Sequence, residues 1–428
     1  MRRFDFSAPG FDTVFDAFLA EPRGAPADVE SAVIRVIDAV RADGAAALVR
    51  FSREFDRTEL TEETLRVSAE EIAEGAARCE PQVRAAIAFA AARIGAYHAR
   101  LRPADGAFTD EAGVRLGWRW TPLDAVGVYV PGGRAAYPST VLMNAVPAKI
   151  AGVGRIAMVT PPGGLKPAVL AAAVEAGVTE IWRVGGAQAV AALAYGAGAL
   201  KPVDKIVGPG NAYVTAAKRR VYGQVGIDSL AGPSEVVVVA DGANDPAWIA
   251  MDLLAQAEHD PDAQSILITD DAAFAQAVVD AVATALKTLP TAEDAAASWR
   301  DHGAVVIAPR EAAPGLVDRI APEHVEFAVE APEVLADRVR HAGAIFLGRH
   351  TPEAIGDYVA GSNHVLPTSR AARFSSGLST LDFLKRTSVL GCDPAAFRAL
   401  AGAGIALADA EGLAAHSRSM SLRFNPEH

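Results

Sequence analysis

The feature that most constrains this chain is an alternation of short apolar runs and helical segments between residues 120 and 367. RIAMVTPP (155–162), EIWRVGG (180–186) and DKIVGPG (204–210) read as strands. KPAVLAAAVEAG (166–177), AQAVAALAYGAG (187–198) and NAYVTAAKRRVYG (211–223) read as the helices between and after them. The strand runs are short and apolar, and glycine punctuates the turns, as expected of a sheet buried on both faces. β-α repetition therefore predicts a mostly parallel sheet covered by helices. After IDSLAGPSE the pattern restarts. EVVVVAD is a strand and DPAWIAMDLLAQAEHD a helix, and SILITD, AVVIAP, VEFAV and AIFLG follow as short apolar runs.

The expected fold class is α/β: two Rossmann-like parallel-sheet units, an N-terminal helical region and a small helical C-terminal tail domain. Residues 1–119 carry apolar positions at helical spacing, as in ESAVIRVIDAVRADGAAALVRFSREFD. They are expected to pack partly on the second unit, which lacks enough helices of its own after AIFLG. Residues 120–235 form the first unit, 236–367 the second and 368–428 the tail. GVRLGWRWTPLDAVGVYVPGG reads as strands and a glycine turn, and the stretch from LSTLDFLKRTSV onward as helical. Hydrophobic content of 51%, charged content of 21% and net charge −12 exclude a disordered or strongly basic chain. No nucleic-acid partner is expected without a Lys/Arg-rich run, nor a membrane span, and no apolar h-region follows the N-terminal arginines. A cytoplasmic, metabolite-handling protein is the expectation. Cys79 and Cys392 form no metal motif or disulfide framework.

Four polar clusters interrupt this pattern. In AQAEHDPD, Asp245 and Pro246 suit the start of the preceding helix and Pro261 stops it. Gln256 and His259, three apart, share a face. Such a pair can bind a divalent metal, yet a polar last turn with a His near the helix dipole accounts for it equally. APEHVEF places Glu323 beside His324, the residue types of general acid/base chemistry. On an extended segment they point to opposite sides; on a bend both reach one cavity. GDYVAGSNHVLPTS holds Asp357, Asn363 and His364 in a loop of the kind that binds ligands at strand ends, although local turn chemistry uses the same residues. EGLAAHSRS offers Glu411 and His416. VGGAQAV and VGPGNAYV each present backbone N–H groups at a helix start, where phosphate is favoured. GVGRIA matches a dinucleotide fingerprint but follows a helix and opens a strand, the wrong context.

Together and in this order, the segments resemble the histidinol dehydrogenase family. The matching stretches are GVYVPGG, GGAQAVAALAYG, VDKIVGPGNAYV, LAGPSEVVVVAD, DLLAQAEHDPDAQ, APEHVEF, GDYVAGSNHVLPT and AEGLAAH, within residues 126–416. The resemblance implies a four-electron oxidation of L-histidinol through L-histidinal to L-histidine, the last steps of histidine biosynthesis, with two NAD+ consumed. It implies one Zn2+ per site, held by Gln256, His259, Asp357 and His416. Glu411 and His416 would come from the neighbouring subunit, making a homodimer with shared sites. Ser234 and Glu411 match substrate contacts, joined by His364, His324 and the metal ligands. Tyr129, Gln188 and Asn211 match NAD contacts. His324 suits proton removal from the alcohol, and Glu323 suits activation of the water that hydrates the aldehyde. Neither cysteine lies near a base that would make it a nucleophile. A related zinc-dependent dehydrogenase of another small alcohol, such as a sulfopropanediol, would keep the metal ligands and change the substrate contacts. A noncatalytic binding protein would have no use for the Glu323–His324 pair.

Overall fold

The computed structural model describes residues 1–23, 29–132 and 136–424. Gly133, which closes the expected GVYVPGG turn, lies outside the described residues. The chain opens with strand β1 (Arg2–Asp5) and helices α1 (Phe11–Leu19), α2 (Val29–Asp43), α3 (Ala45–Phe55), α4 (Ala69–Ala77) and α5 (Pro81–Arg100). Strands β2 (Gly106–Thr109) and β3 (Arg115–Pro122) follow. The first alternation is β4 (Ala125–Tyr129), α6 (Pro138–Ala151), β5 (Arg155–Thr160), α7 (Pro167–Ala176), β6 (Glu180–Arg183), α8 (Gly186–Tyr195), β7 (Lys205–Val207), α9 (Ala212–Val221) and β8 (Gly226–Ile227). The second starts with β9 (Glu235–Ala240), α10 (Pro246–Ala257), β10 (Gln264–Thr269), α11 (Ala272–Ala285), α12 (Ala292–Asp301) and β11 (Ala304–Ile307). It ends with α13 (Ala313–Ile320), β12 (His324–Ala328), α14 (Glu333–Ala336), β13 (Ala344–Leu347) and α15 (Glu353–Tyr358). Strand β14 (Leu384–Gly391) and helices α16 (Pro394–Ala410) and α17 (Ala414–Ser421) close the chain.

The chain divides into two compact units. The larger comprises Met1–Leu101 and Leu123–Phe383 and contains two wholly parallel sheets. One has the order β6-β5-β4-β7-β8, the other β1-β11-β10-β9-β12-β13. In each, the first strand of the alternation lies inside and the chain winds out to one side, then the other. That reversal makes a switch point between β4 and β7 and another between β9 and β12. In β9, Val237 and Val239 join one core with α13, while Val236 and Val238 join another with α10 and α11. Both faces are thus buried by the period-2 alternation of a strand.

The early elements divide between the two sheets. Val33, Ile37 and Val40 of α2 and Leu48 and Phe51 of α3 share one core with Val190 and Val214 of α8 and α9. Helices α4 and α5 pack on α6 and α7. Among the described early elements, β1 and α1 join the second sheet, where Phe11, Phe15 and Phe18 meet Val237 and Ile266. The second sheet needs few helices from outside, since α10, α11 and α12 cover one face and α13 helps to cover the other. Strand β1, RRFD, has no apolar run to announce it and pairs from Arg2 opposite Ala304.

The smaller unit comprises Arg102–Pro122 and the chain from Leu384 onward. Its antiparallel sheet, β14-β3-β2, pairs Leu384 with Pro122. The tail is therefore not helical throughout: LKRTSVLG is a strand because its partner β3 lies far back in the sequence. Among the described residues no helix is long and apolar enough to cross a membrane.

Candidate active site

Glu323 and His324 sit at the amino edge of the second sheet. Helix α13 ends on Ala321, whose φ of +52° is left-handed. Alanine rarely adopts that conformation, and the bend it makes feeds Glu323 and His324 into the start of β12. Both side chains then bond the main chain of one residue of β9, on either side of its Cα. Glu323 Oε2 accepts from the Glu235 N–H at 3.0 Å, and His324 Nδ1 lies 3.2 Å from the Glu235 carbonyl oxygen. A carbonyl only accepts, so Nδ1 carries a proton. Nε2 is buried without a hydrogen-bond partner. His324 Nδ1 is 3.8 Å from Glu323 Oε2, so the adjacent residues reach one cavity.

Two further elements converge here. Glu353 and Asp357 are one turn apart on α15 and face His324 together: Glu353 Oε1 is 3.7 Å from Nδ1 and Asp357 Oδ1 is 3.7 Å from Nε2. Helix α10 stops at Ala257, with Glu258 as its C-cap, a turn short of the expected Asp260. Gln256 in its last turn lies 3.2 Å, by Nε2, from Nδ1 of His259 just beyond. His364 Nδ1 donates to the Asp357 carbonyl at 3.0 Å. Ser234 immediately precedes β9, its carbonyl accepting from Gln264 N at 2.9 Å.

The charges are unbalanced. Burial pushes the Glu323 carboxyl up to about 8 and that of Glu353 up to about 7. Burial alone would lower His324, but Glu353, Glu323 and Asp357 outweigh it and hold the imidazole well above its ordinary value. Burial pulls His259 down, opposed by Asp357. Three carboxyl groups face one imidazole, so burial leaves more acid than one imidazolium can balance if all ionise. His324, Glu353 and Asp357 each offer a ligand atom within 4.8 Å of the others, and Gln256 Oε1 is buried without a partner. An orphaned amide oxygen, a carboxylate and imidazole nitrogens form the donor set of a divalent transition metal, and a cation offsets the surplus. The residues present fit such an ion.

A second feature lies at the carboxyl edge of the first sheet, at its switch point. Tyr129 ends β4, and its Oη accepts from the Gly186 N–H at 3.0 Å, at the start of α8. Burial raises the Tyr129 phenol to about 12, so it stays neutral. Gln188 is buried in the first turn of α8. Asn211 caps α9, its Oδ1 accepting from Tyr213 N and Val214 N at 3.1 and 3.2 Å. Gly208, in the same β7–α9 turn, takes φ +109°, and a Cβ there would lie 2.2 Å from the Tyr129 carbonyl oxygen. Both glycine turns follow strands and open helices, the context a dinucleotide requires. In GVGRIA, by contrast, Gly152 caps the end of α6.

The segment from Asp228 to Glu235 joins the two features. Asp228 Oδ2 accepts from Gly208 N at 2.7 Å, Thr215 Oγ1 donates to the Ala231 carbonyl at 3.1 Å, and Glu235 holds Glu323 and His324. Glu411 and His416 lie in the smaller unit, exposed, at the C-cap of α16 and within α17. Reading the sequence missed Glu353 and Glu235. Glu353 is visible only as the i−4 neighbour of Asp357, and the role of the Glu235 main chain has no sequence signal.

Comparison with known proteins agrees with this geometry. A family model described as "Histidinol dehydrogenase" matches residues 20–424. Histidinol dehydrogenase of Caulobacter vibrioides is 75% identical over 424 residues, 99% of each chain. That of Mesorhizobium japonicum is 61% identical over 418 residues, 97% of each chain. The crystal structure of histidinol dehydrogenase from Elizabethkingia anophelis matches with a TM-score of 0.94 at 34% identity, covering 99% of this chain and 98% of that one. The fold and these likenesses define an α/β oxidoreductase. The chain belongs to the histidinol dehydrogenase family, enzymes of histidine biosynthesis.

Proposed function

We propose that the protein oxidises L-histidinol through L-histidinal to L-histidine, with two NAD+ as hydride acceptors and one Zn2+ per site. The observation that carries this reading is the Asp228–Glu235 segment, bonded at one end to the Gly208 turn and at the other to both Glu323 and His324. It ties a dinucleotide-type crevice to an acid/base pair within one short stretch. Tyr129, Gln188 and Asn211 would line the NAD side. Gln256, His259 and Asp357 would hold the zinc, with the partner's His416 completing the set in a homodimer. When bound, the ion would hold the substrate's amine and imidazole and so orient the carbinol carbon. The boundaries 120–235 and 236–367 then separate a nucleotide half from a catalytic half.

With the zinc and the cationic substrate offsetting the carboxylates that raise it, His324 Nε2 would take the hydroxyl proton as the first hydride leaves. Its Nδ1–H, tied to the Glu235 carbonyl, fixes the tautomer for this role. Glu323 removes a proton from the water that adds to the aldehyde, and its raised affinity for protons suits a base working near neutrality. In the hydration His324 would return its proton to the aldehyde oxygen, and so be free to take one from the hydrate as the second hydride leaves. Ser234, His364 and the partner's Glu411 would contact the substrate. Glu411, an anion, matches a cationic amino alcohol better than a sulfonate. The test is NADH formation from L-histidinol beside a sulfopropanediol, with and without a chelator. Turnover of L-histidinol that chelation abolishes and Zn2+ restores is expected. Preference for the sulfonate, or full activity in metal-free protein, overturns the reading.

A further inference from the structure

We propose that Arg23 is a positioning residue of the reaction, acting through Glu235. The inference rests on the assignment of Glu323 and His324 as the acid/base pair. Glu235 is the first residue of β9, opposite Gln264 on one side. On the other side the β9–β12 ladder begins only at Val236, opposite His324. The Glu235 main chain therefore lies just before that ladder, and its N–H and carbonyl go to Glu323 and His324. The side chain of the same residue is almost wholly buried, with 3% exposure, and its carboxylate pairs with the Arg23 guanidinium, itself 12% exposed. Burial raises the Glu235 carboxyl, and Arg23 opposes that rise. Arg23 follows α1, the helix that packs its phenylalanines on this sheet. The N-terminal segment thus delivers one cation to the end of a central strand.

A buried carboxylate without its partner either takes a proton or moves toward water. Either change loosens the residue whose main chain sets both the His324 tautomer and the direction of Glu323. A displacement of about 1 Å at reacting groups costs up to about a hundredfold in rate. The proposed zinc ligands of this chain and His364 lie on α10, α15 and the segments that follow them; Ser234 adjoins Glu235, but Arg23 is paired with none of these groups. Loss of the pair is therefore expected in kcat and not in KM.

The experiment measures kcat and KM for L-histidinol and L-histidinal in the zinc-loaded full-length enzyme carrying Arg23→Met, Arg23→Lys, Glu235→Gln or the Arg23→Met/Glu235→Gln double change. Glu323→Gln and His324→Asn run beside them, each variant assayed well below its own Tm. Arg23→Met is expected to lose kcat about tenfold or more with KM within about twofold, and Arg23→Lys to recover most of it. The double variant is expected to be no slower than the worse single one, because both changes break one pair. A folded Arg23→Met enzyme with wild-type kcat overturns the proposal, and so do losses that multiply in the double variant. If Glu323→Gln and His324→Asn also retain wild-type kcat, the assignment of the acid/base pair fails instead.

Discussion

His98 makes the stability of this protein depend on pH in a way that can be worked out. It is fully buried in α5, its Nε2 3.3 Å from Asn363 Nδ2, and Asn363 Nδ2 also donates to the Met143 carbonyl at 2.7 Å. Nε2 must accept from that amide, so the ring is neutral. Burial, only partly opposed by Asp382, lowers its pKa from 6.5 to about 4. The unfolded chain takes up this proton near pH 6.5, whereas the folded chain refuses it until about pH 4. Stability from His98 is therefore complete above 6.5, falls as pH drops toward 4, and changes no further below that. The slope is about 1.4 kcal/mol per pH unit, so about 2 kcal/mol should vanish between pH 7 and pH 5. The measurement is the urea midpoint of wild type and of His98→Gln at both pH values. Taking the difference between the two proteins cancels the other titrating groups. The wild-type advantage is expected to shrink by about 2 kcal/mol on acidification. An advantage that stays constant from pH 7 to pH 5 refutes a buried neutral His98.

Other outcomes follow from the site. Glu323→Gln should impair L-histidinal oxidation more than the first hydride transfer from L-histidinol, whereas His324→Asn should slow the alcohol step, each by about 10²–10⁴-fold; stopped-flow NADH traces with each substrate decide, and identical defects would sink the division of roles. Gly208→Ala places a methyl 2.2 Å from the Tyr129 carbonyl at a left-handed φ, so the KM for NAD+ should rise at least about tenfold; an unchanged KM in folded protein would show that this turn does not shape the crevice. If the site draws His416 from a second subunit, mixing His259→Ala with His416→Ala under subunit exchange should restore roughly a quarter of wild-type activity, since about half the dimers then contain one intact site. No recovery despite exchange seen by mass spectrometry would mean that the tail serves its own chain.

What the sequence made legible was local. Strands β4 to β7 and β9 to β13, and the helices between them, could be read because each carries its own apolar period and its own glycine or proline stop. Strands β1 and β14 could not, because RRFD and LKRTSVLG become strands only through Ala304 and Pro122, far away in the chain. The site divides in the same way. Gln256 and His259 are neighbours by helical spacing alone, and the structure keeps them 3.2 Å apart. Glu323 and His324 were ambiguous, because strand parity separates adjacent side chains. The left-handed turn at Ala321 and the Glu235 main chain bring them together, and neither leaves a trace in residue types. Their chemistry was legible through resemblance to a family rather than through spacing.

The strand-end rule for open α/β sheets also needs a physical amendment in this chain. It places ligands beyond the carboxyl ends of the strands, at the switch point. In the proposed reading the first sheet would follow it, with Tyr129 and the Gly208 turn. In the second sheet ion pairs crowd the corresponding position. Asp241, directly after β9, accepts from Arg349 Nη2 at 2.8 and 2.9 Å and pairs with Arg310 as well. With that crevice crowded by ion pairs, the second sheet presents its opposite edge, where β9 and β12 begin and α10 ends. This amino edge is the one that the Asp228–Glu235 segment ties to the carboxyl edge of the first sheet. Two similar sheets can therefore share one site, one offering the ends of its strands and the other their beginnings.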